Sequence, residues 1–388
     1  MSSGNGWTSD PDCLIRLENP SISAVFRDGL LSVKKGAGSY TVRGDPLGFV
    51  EEMVGQGYLA VGHLGYEFYR YLMEDFSPRS GKHGPRYPDA SFLFFPEDEI
   101  CEETVDSIEP TSTKSLVARP VADMSKESYI RAVDAARHYI ATGDVYQINL
   151  SQKFEVPFGV NPEKFLHELY NAQPVPFSCL IDLGNYQLIS GSMELFLRRR
   201  GRQIVSRPIK GTRKRGVDKA EDDGLRDELL NNAKEKAENL MIVDLMRNDL
   251  GRVCEFGSVK VNKLFEVEQY TTLFHMVSEV EGRLRDDASM SQIIKNTFPP
   301  GSVTGAPKRR AMEIIDELEP HLRGPYCGAI GLFKPDGDFT LSVAIRVLAA
   351  SQGRGEFWVG GGIMWDSVPE LEYEETLIKA EAIMRTLG

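Results

Sequence analysis

Residues Arg207–Gly216, with the sequence RPIKGTRKRG, follow a predicted strand and form a candidate binding segment. The preceding run, Gln203–Ser206, alternates polar and apolar residues, which predicts a β-strand. Pro208 cannot donate a hydrogen bond to a sheet, so we expect the chain to leave the sheet there. Lys210 would then lie just past a strand end, beside Gly211, where the backbone can come close to a ligand.

Lys210 suggests two different functions. A lysine in such a position can act as a nucleophile when it is held in its neutral form. The basic side chains around it would also attract a small anion. The local pattern by itself is more typical of a solvated basic loop. Other parts of the sequence are needed to choose between a nucleophile, an anion-binding residue and a solvated loop.

Composition limits the class of protein. The chain has 388 residues, with 41% hydrophobic and 26% charged residues, as expected for one large domain or two smaller ones. Its net charge of −12 argues against a general nucleic-acid binder. The five cysteines are far apart and form no C-x-x-C pair, so neither a disulfide framework nor a zinc site is predicted. The N-terminal sequence does not resemble a signal peptide, and no apolar run approaches the length of a membrane span. The expected location is therefore the cytoplasm.

The character of the sequence changes near residue 120. Residues 14–93 alternate short apolar runs with Gly, Pro and Asp, which predicts strands and tight turns. Residues 97–114 are acidic and lack periodicity, which indicates a surface connection. Helical patterns begin at Ser125. We therefore predict an N-terminal β-rich domain over residues 1–120 and a larger C-terminal domain over 121–388. The fold class is α+β, with large, mostly antiparallel sheets packed face to face and helices outside.

Glu194 is a candidate proton donor. It lies between apolar Met193 and Leu195, and a carboxyl group in such surroundings tends to stay protonated. An exposed glutamate on an alternating strand is the simpler alternative. A predicted hairpin around Gly201 would bring Glu194 and Lys210 to the same end of a sheet.

Two pairs of glutamates are spaced to share a helix face. Glu235 and Glu238 lie in the predicted helix Ala220–Leu250, and Glu372 and Glu375 repeat the i, i+3 spacing near the C-terminus. Brought together, the pairs would form an oxygen-rich site suited to Mg²⁺. Each pair alone is also typical of a solvated helix face.

Two glycine-rich segments are further candidates for ligand contact. Phe298–Lys308 precedes a predicted helix, Arg309–Glu319, and can offer backbone N–H groups to an anion, although it is not a P-loop. Gly360–Gly362 follows the last of the predicted strands, which are Tyr326–Phe333, Phe339–Leu348 and Glu356–Val359. Backbone can touch a ligand at such glycines.

With these motifs in view, residues 121–388 resemble the chorismate-utilising enzymes. The resemblance rests on segments in the order of the family: GDVYQINLS (143–151), GSMELFL (191–197), PIKGTRKRG (208–216), KEKAENLMIVDLMRNDLGRV (234–253), FHMVSEVEG (274–282), FPPGSVTGAPKRRAMEIIDELEP (298–320), YCGAIG (326–331) and GGGIMWDSVPELEYEETLIKAE (360–381). The N-terminal third resembles the accessory part of the family less sharply.

The resemblance implies roles for individual residues. Lysine at position 210 is found in the aminodeoxychorismate synthases, whereas anthranilate synthases usually carry alanine. Isochorismate and salicylate synthases use a lysine base where this chain has Gln147, so those activities are disfavoured. Glu194 is implied as the general acid, and Mg²⁺ as the cofactor, held by Glu238 and Glu375 with Glu235 and Glu372 beside them. The positions implied to contact chorismate or to shape its pocket are Gly211, Thr212, His275, Thr304, Tyr326, Arg346, Gly360, Gly362 and Lys379.

The implied activity is amination of chorismate to 4-amino-4-deoxychorismate, in para-aminobenzoate and folate biosynthesis. Lys210 would form a covalent adduct, and ammonia would come from a separate glutamine amidotransferase subunit, because none of the five cysteines lies in a G-x-C-x-G elbow. Anthranilate synthesis is the main alternative. A non-catalytic anion-binding homologue is the other.

Overall fold

Short strands with one buried face form most of the N-terminal third, as the sequence predicts. In Ile22–Arg27 the side chains of Ile22, Ala24 and Phe26 are buried at every second position. The computed structural model describes residues 6–7, 13–73, 75–76, 87–97, 101–104 and 119–387. Its first elements are β1 (Cys13–Arg16), β2 (Ile22–Arg27), β3 (Leu30–Lys35), β4 (Gly38–Arg43), α1 (Pro46–Gly55), β5 (Tyr58–Leu64), α2 (Tyr69–Leu72), β6 (Ala90–Pro96) and β7 (Cys101–Thr104).

Longer strands and helices alternate in the rest of the chain. They are β8 (Val121–Ala122), α3 (Lys126–Ala141), β9 (Gln147–Pro157), α4 (Pro162–Ala172), β10 (Phe177–Asp182), β11 (Gln187–Ser192), β12 (Leu195–Arg200), β13 (Gln203–Arg207), β14 (Ile209–Lys214), α5 (Lys219–Asn231), α6 (Ala233–Gly251), β15 (Lys260–Gln269), β16 (Leu273–Arg283), α7 (Met290–Thr297), β17 (Gly305–Ala306), α8 (Lys308–Leu318), β18 (Ala329–Phe333), β19 (Phe339–Val343), β20 (Val347–Ser351), β21 (Arg354–Ile363) and α9 (Pro369–Leu387).

Several helices, among them α3 and α6, begin at side-chain caps. Ser125 Oγ accepts the backbone N–H of Ser128 at 3.2 Å, which confirms the predicted start of α3. The prediction of one helix over 220–250 is wrong, because Asn232 has an extended backbone and separates α5 from α6. Its side chain caps α6 by accepting the N–H of Glu235 at 3.0 Å. This cap places Glu235 in the first turn of α6.

Two large antiparallel sheets form the frame. Within the described residues, one has the order β14–β16–β13–β12–β19–β18–β5–β6–β2–β3–β4, with β15 also on β16. The other has the order β10–β11–β20–β21–β9–β17, with β8 on β9. Both sheets supply side chains to one core cluster, such as Phe196 and Ile204 from the first and Ile148 and Leu188 from the second. The predicted α+β class with large antiparallel sheets is confirmed.

Strands from both parts of the sequence share the larger sheet. β18 pairs with β5 from Ala329 opposite Leu64 to Phe333 opposite Ala60. The N-terminal strands therefore continue the sheet that the later strands form. The division at residue 120 remains a prediction about the sequence, and the pairing links the two parts through main-chain hydrogen bonds.

The prediction that the chain leaves the sheet at Pro208 is wrong. Both β13 and β14 pair with β16, at successive positions along it. Pro208 supplies no N–H, but its carbonyl still accepts the N–H of Ser278 at 3.2 Å. The pairing shifts register between Ile209 and Thr212, where Gly211 has a φ of +82°. Lys210 thus belongs to an irregular strand and not to a loop.

Two further predictions need correction. The predicted strand Phe339–Leu348 is two strands, β19 and β20, because the backbone turns at Arg346, whose φ is +48°. In the predicted connection 97–114, residues 101–104 form strand β7, which pairs with β1. Residues 98–100 and 105–114 lie outside the described part. None of the helices in the described ranges is both long and apolar enough to cross a membrane.

Candidate active site

The glycines of β21 form a surface over which several predicted site residues meet. A Cβ atom added to Gly362 would lie 2.5 Å from Gln147 Nε2 and 3.2 Å from Lys210 Nζ. A Cβ atom added to Gly360 would lie 3.1 Å from the hydroxyl oxygen of Tyr326. At 2.5 Å the neighbouring atom would have to shift, and 3.1–3.2 Å is tighter than most contacts that a Cβ atom makes. Glycine therefore lets Lys210, Gln147 and Tyr326 approach the same strand.

Lys210 lies beside Glu238 and influences Glu194 electrostatically. Lys210 Nζ is 4.0 Å from Glu238 Oε2, and their side chains are 13% and 11% exposed. Glu194 is buried, and this burial raises the pKa of its carboxyl group from 4.5 to about 7. A hydrogen bond from Ser302, the charge of Lys210 and the N–H of Ile209 limit the rise. At neutral pH a large fraction of Glu194 therefore keeps its proton, as a general acid requires.

His275 lies opposite Thr212 across the β14–β16 pair. Its Nδ1 atom is 3.0 Å from Thr212 Oγ1. Burial and the charge of Arg346 lower the pKa of His275 to about 3, opposed by a hydrogen bond with the backbone of Gly211. The imidazole is consequently neutral at physiological pH, and its Nε2 has no hydrogen-bond partner. This nitrogen is available to a ligand.

Arg346 is a half-buried cation, and no carboxylate of the residues that the structure describes forms an ion pair with it. Its guanidinium donates to the side-chain oxygen of Gln173, and desolvation lowers the pKa of Arg346 to about 10. Such a group is suited to an anionic ligand. Thr304, also predicted as a site residue, is fully buried, and its hydroxyl donates to the carbonyl oxygen of Pro300 at 2.6 Å. It holds the shape of the Phe298–Lys308 loop.

The two glutamate pairs converge from α6 and α9. A Cβ atom added to Gly361 would lie 3.4 Å from Glu372 Oε2 and 3.8 Å from Glu375 Oε1. From the other helix, Glu235 Oε2 would lie 3.0 Å from a Cβ atom on Gly211. Both pairs thus face the strands that carry the glycines and Lys210.

The carboxylates influence one another electrostatically. Burial raises the pKa of Glu238, and the charges of Glu235 and Glu375 raise it further against the opposing charge of Lys210. Burial and the charge of Glu375 likewise raise the pKa of Glu372. Like charges that disfavour ionisation create a place where a cation would be stabilising.

Lysines neutralise part of this acidic cluster. Lys379 Nζ lies 2.6 Å from Glu375 Oε1 and also donates to the carbonyl of Gly360 at 3.0 Å. The charge of Lys379 lowers the pKa of Glu375. In the part of the chain that the structure describes, no group of three or more His, Cys, Asp or Glu side chains is close enough together to hold a metal ion. The donors nevertheless suit Mg²⁺ in kind, since this ion commonly uses one or two carboxylates together with water and substrate oxygens.

Sequence reasoning did not assign two residues that the structure places at the site. Ser302 hydrogen-bonds to Glu194, and it stands within the quoted loop FPPGSVTGAPK, where a hydroxyl among glycines was the available signal. The alternation of the strand Val145–Ser151 favours a solvent-facing position and a site role for Gln147 about equally. Gln147 is fully buried, and within the described part of the chain neither its Oε1 nor its Nε2 has a hydrogen-bond partner. A buried amide without partners beside Lys210 is suited to a polar ligand.

A cavity of about 920 Å³ lies elsewhere in the molecule, lined by residues of the N-terminal strands, α4 and β10. Trp7 borders it and donates from its indole N–H to the carbonyl of Ser178 at 3.1 Å. None of the predicted site residues lines this cavity.

Comparisons with known proteins identify the family of the chain. A family model described as "chorismate binding enzyme" matches residues 40–385. The chain is 44% identical over 281 residues to anthranilate synthase component 1 1 of Haloarcula marismortui, covering 72% of this chain but only 58% of that protein. It is 34% identical over 415 residues to aminodeoxychorismate synthase component 1 of Bacillus subtilis, covering 95% of this chain and 88% of the relative.

A solved structure shows the same architecture. The crystal structure of anthranilate synthase component I from Streptococcus pneumoniae superposes with a TM-score of 0.83 at 30% identity, over 96% of this chain and 92% of the other. Relatives named for two different products thus match the chain at comparable levels. The chain therefore belongs to the family of chorismate-binding enzymes.

Proposed function

We propose that this chain converts chorismate and ammonia to 4-amino-4-deoxychorismate, the activity of an aminodeoxychorismate synthase component 1. The observation that carries the proposal is the position of Lys210, whose amine lies over Gly362 beside Gln147 and within the electrostatic influence of Glu194. An alanine at this position would leave no nucleophile there. The long alignment with the Bacillus subtilis aminodeoxychorismate synthase supports the same choice.

The side chains account for each step of a balanced reaction. Glu194 gives its proton to the C4 hydroxyl of chorismate, which leaves as water while Lys210, once its ammonium has lost a proton, bonds to C2 and the ring double bonds shift. Ammonia then bonds to C4, the double bonds shift back and the C2–N bond to Lys210 breaks. Protons released by the two amines balance those taken up by the leaving group and by Lys210. The net change replaces hydroxyl by amine and releases one water.

Other residues would bind and orient the substrate. Arg346, which forms no ion pair with a carboxylate of the described residues, would receive a carboxylate of chorismate. The free Nε2 of neutral His275 and the hydroxyl of Tyr326 would complete the polar contacts. The remaining proposed contact or pocket-shaping positions are Gly211, Thr212, Thr304, Gly360, Gly362 and Lys379.

Mg²⁺ is the cofactor that the acidic cluster suits. Glu238 of α6 and Glu375 of α9 would hold it, with Glu235 and Glu372 beside them. When bound, the ion would neutralise a substrate carboxylate and fix its position. Lys379, which contacts Glu375 here, would give up part of that ion pair.

Ammonia requires a source. We propose a separate glutamine amidotransferase subunit, in line with the "component 1" in the names of the relatives. The purified chain should therefore use ammonium salts and should not use glutamine. Glutamine-dependent turnover by the chain alone would contradict this division.

Product identification tests the proposal. The purified chain is incubated with chorismate, Mg²⁺ and an ammonium salt, and the products are separated and identified by mass spectrometry. The expected product is 4-amino-4-deoxychorismate without release of pyruvate. Anthranilate together with pyruvate would establish the alternative, which the 44% identity to the Haloarcula marismortui anthranilate synthase favours.

A further inference from the structure

A buried arginine outside the proposed site connects the elements that surround it. Arg323 is 1% exposed and follows α8. Glu319 accepts from its Nε at 2.9 Å and from its Nη2 at 2.7 Å, a two-point contact. The guanidinium also lies 4.7 Å from the ring centroid of Tyr66. Three contacts therefore fix its plane.

The remaining donors of Arg323 reach two segments of the site. Nη1 donates to the carbonyl of Val303 at 3.0 Å, and Nη2 donates to the carbonyl of Asn149 at 2.7 Å. Asn149 belongs to β9, two residues after Gln147. Val303 lies in the Phe298–Lys308 loop, between Ser302 and Thr304. One planar cation thus sets the distance between the loop and the strand.

The backbone at Arg323 is fixed as well. Its N–H and that of Gly324 donate to the two carboxylate oxygens of Glu67, at 2.8 and 2.9 Å. Glu319 in turn accepts from the N–H and hydroxyl of Ser151 at 2.7 and 2.8 Å. The arginine therefore belongs to a closed network and has little freedom to move.

The position of the Phe298–Lys308 loop determines where Ser302 lies relative to Glu194, the proposed proton donor. The Glu194 carboxyl is faced by the Ser302 hydroxyl, the Lys210 ammonium and the N–H of Ile209, and its charge also acts on the Cys327 thiol. Of these groups, Ser302 is the one whose backbone neighbour, Val303, is held by Arg323. A shift of the loop would separate Ser302 from Glu194.

We infer that Arg323 is a positioning residue for the proposed reaction, which holds Ser302 against Glu194 through the Val303 carbonyl. The hydrogen bonds of its guanidinium go to Glu319, Val303 and Asn149, none of which is a proposed substrate position. Its backbone carbonyl contacts one such position, by accepting the N–H of Tyr326 at 3.0 Å. The inference rests on the proposed role of Glu194 as proton donor. Its physical content, the link from Arg323 through Ser302 to Glu194, can be measured without turnover.

The test compares full-length Arg323→Lys with the parent. Lysine keeps a charge for Glu319 but cannot donate in one plane to both carbonyls. The protonation midpoint of Glu194 is followed by carbon-13 NMR of glutamate-labelled protein without Mg²⁺, and the signal is assigned by its loss in Glu194→Gln. Because the Ser302 hydrogen bond lowers the pKa of Glu194, the midpoint should rise in Arg323→Lys and in Ser302→Ala. In the double variant the protonation midpoint of Glu194 should be no higher than in Ser302→Ala alone.

Turnover gives a second readout. If chorismate is consumed, kcat of Arg323→Lys should fall on the order of tenfold, with a much smaller change in KM, since the donor is misplaced while the substrate contacts remain. Substrate loss is followed whatever the product, so a different product would refute the proposed function and leave this inference standing.

Glu356→Gln is the matched control. The substitution removes a buried carboxylate of β21 that lies 3.4 Å from Lys153 Nζ of β9. It should lower the unfolding temperature without changing the protonation midpoint of Glu194. If Arg323→Lys does not fold, Glu319→Gln repeats the test by loosening the same guanidinium. An unchanged Glu194 midpoint in a folded Arg323→Lys or Ser302→Ala, or additive shifts in the double variant, would overturn the inference.

Discussion

At the scale of single residues, Lys210 owes its position to an interruption of a strand. Pro208 removes one ladder hydrogen bond, and Gly211 adopts a positive φ, so the pairing of β14 with β16 slips between Ile209 and Thr212. A regular strand would alternate its side chains between the two faces. The irregularity lets Lys210 reach Gly362 while Thr212 still lies opposite His275.

Lys210→Ala should remove the covalent route. We expect kcat with ammonium to fall at least about a hundredfold, because the substitution removes the amine that lies over Gly362. Mass spectrometry of protein quenched with chorismate should show an adduct on the parent and none on the variant. Lys214→Ala, at an exposed position of the same strand, is the control. Equal adduct on Lys210→Ala and the parent would contradict the assignment.

Glu194 gives the reaction a defined pH dependence. A general acid must be protonated, and the pKa of Glu194 is about 7. We therefore expect kcat to fall as the pH rises through about 7. Glu194→Gln should lower kcat by about 10²–10⁴-fold at every pH. A parent enzyme whose kcat stays constant from pH 6 to pH 9 would argue against this role.

The same carboxyl group links folding to pH. Its pKa is raised from 4.5 to about 7 in the folded state, so its ionisation opposes folding. This penalty is absent below pH 4.5 and complete above pH 7. At pH 8 Glu194→Gln should exceed the parent in free energy of unfolding by at most about 3 kcal/mol. Urea unfolding of Glu194→Gln and of the parent at pH 4.5 and pH 8 measures this difference in free energy of unfolding. The same difference at both pH values would refute the linkage.

Gly362 should not tolerate a side chain. A Cβ atom there would lie 2.5 Å from Gln147 Nε2 and 3.2 Å from Lys210 Nζ. Gly362→Ala should displace both side chains and lower kcat/KM by on the order of a hundredfold. Gly159→Ala, where no atom lies within 4 Å of the added Cβ, should retain parental kcat/KM. Similar values for the two variants would show that Gly362 is not part of the site.

At the scale of elements, the acidic cluster depends on two helix starts. Asn232 caps α6 and so puts Glu235 and Glu238 in its first two turns. Glu372 is fixed by the Ser367 hydroxyl, which donates to it at 2.6 Å near the start of α9. The electropositive ends of both helices therefore face the cluster and offset its charge.

Removing a glutamate from this cluster should weaken Mg²⁺ binding. We expect Glu238→Gln and Glu375→Gln each to raise the Mg²⁺ concentration for half-maximal turnover at least about tenfold. Glu374→Gln, at an exposed position of α9, should not change it. Titration of each purified variant with Mg²⁺ after treatment with a chelator measures the effect. Full activity of the parent in excess chelator would exclude a metal requirement.

The sequence could predict those parts of these elements that depend on local chemistry. The cap at Ser125, the hairpin at Gly201 and the i, i+3 glutamates all involve neighbours within a few residues. Arg323 could not be recognised in this way, because its partner Glu67 is 256 residues away. The break at Asn232 was missed because its flanks are both strong helix formers. The return of β14 to the sheet was missed because a proline usually ends pairing, and only the partner strand β16 shows that it continues.

At the scale of the whole molecule, the two parts of the sequence should not fold separately. β18 pairs with β5 over five residues, and Glu67 binds the backbone at Arg323. A fragment of residues 121–388 would expose this edge and leave that backbone unpaired. We expect it to lack a cooperative thermal transition by circular dichroism. A fragment that unfolds cooperatively and consumes chorismate would show that residues 121–388 are an independent domain.

The strand pair β5–β18 also has a consequence for synthesis on the ribosome. Leu64 emerges long before Ala329, its partner in the sheet. During this interval the N-terminal hairpins have an open edge with unpaired N–H and C=O groups and apolar side chains, which is a risk for aggregation. Contacts so distant in sequence also slow folding after release. The nascent chain is therefore a natural client for chaperones that shield an exposed sheet edge.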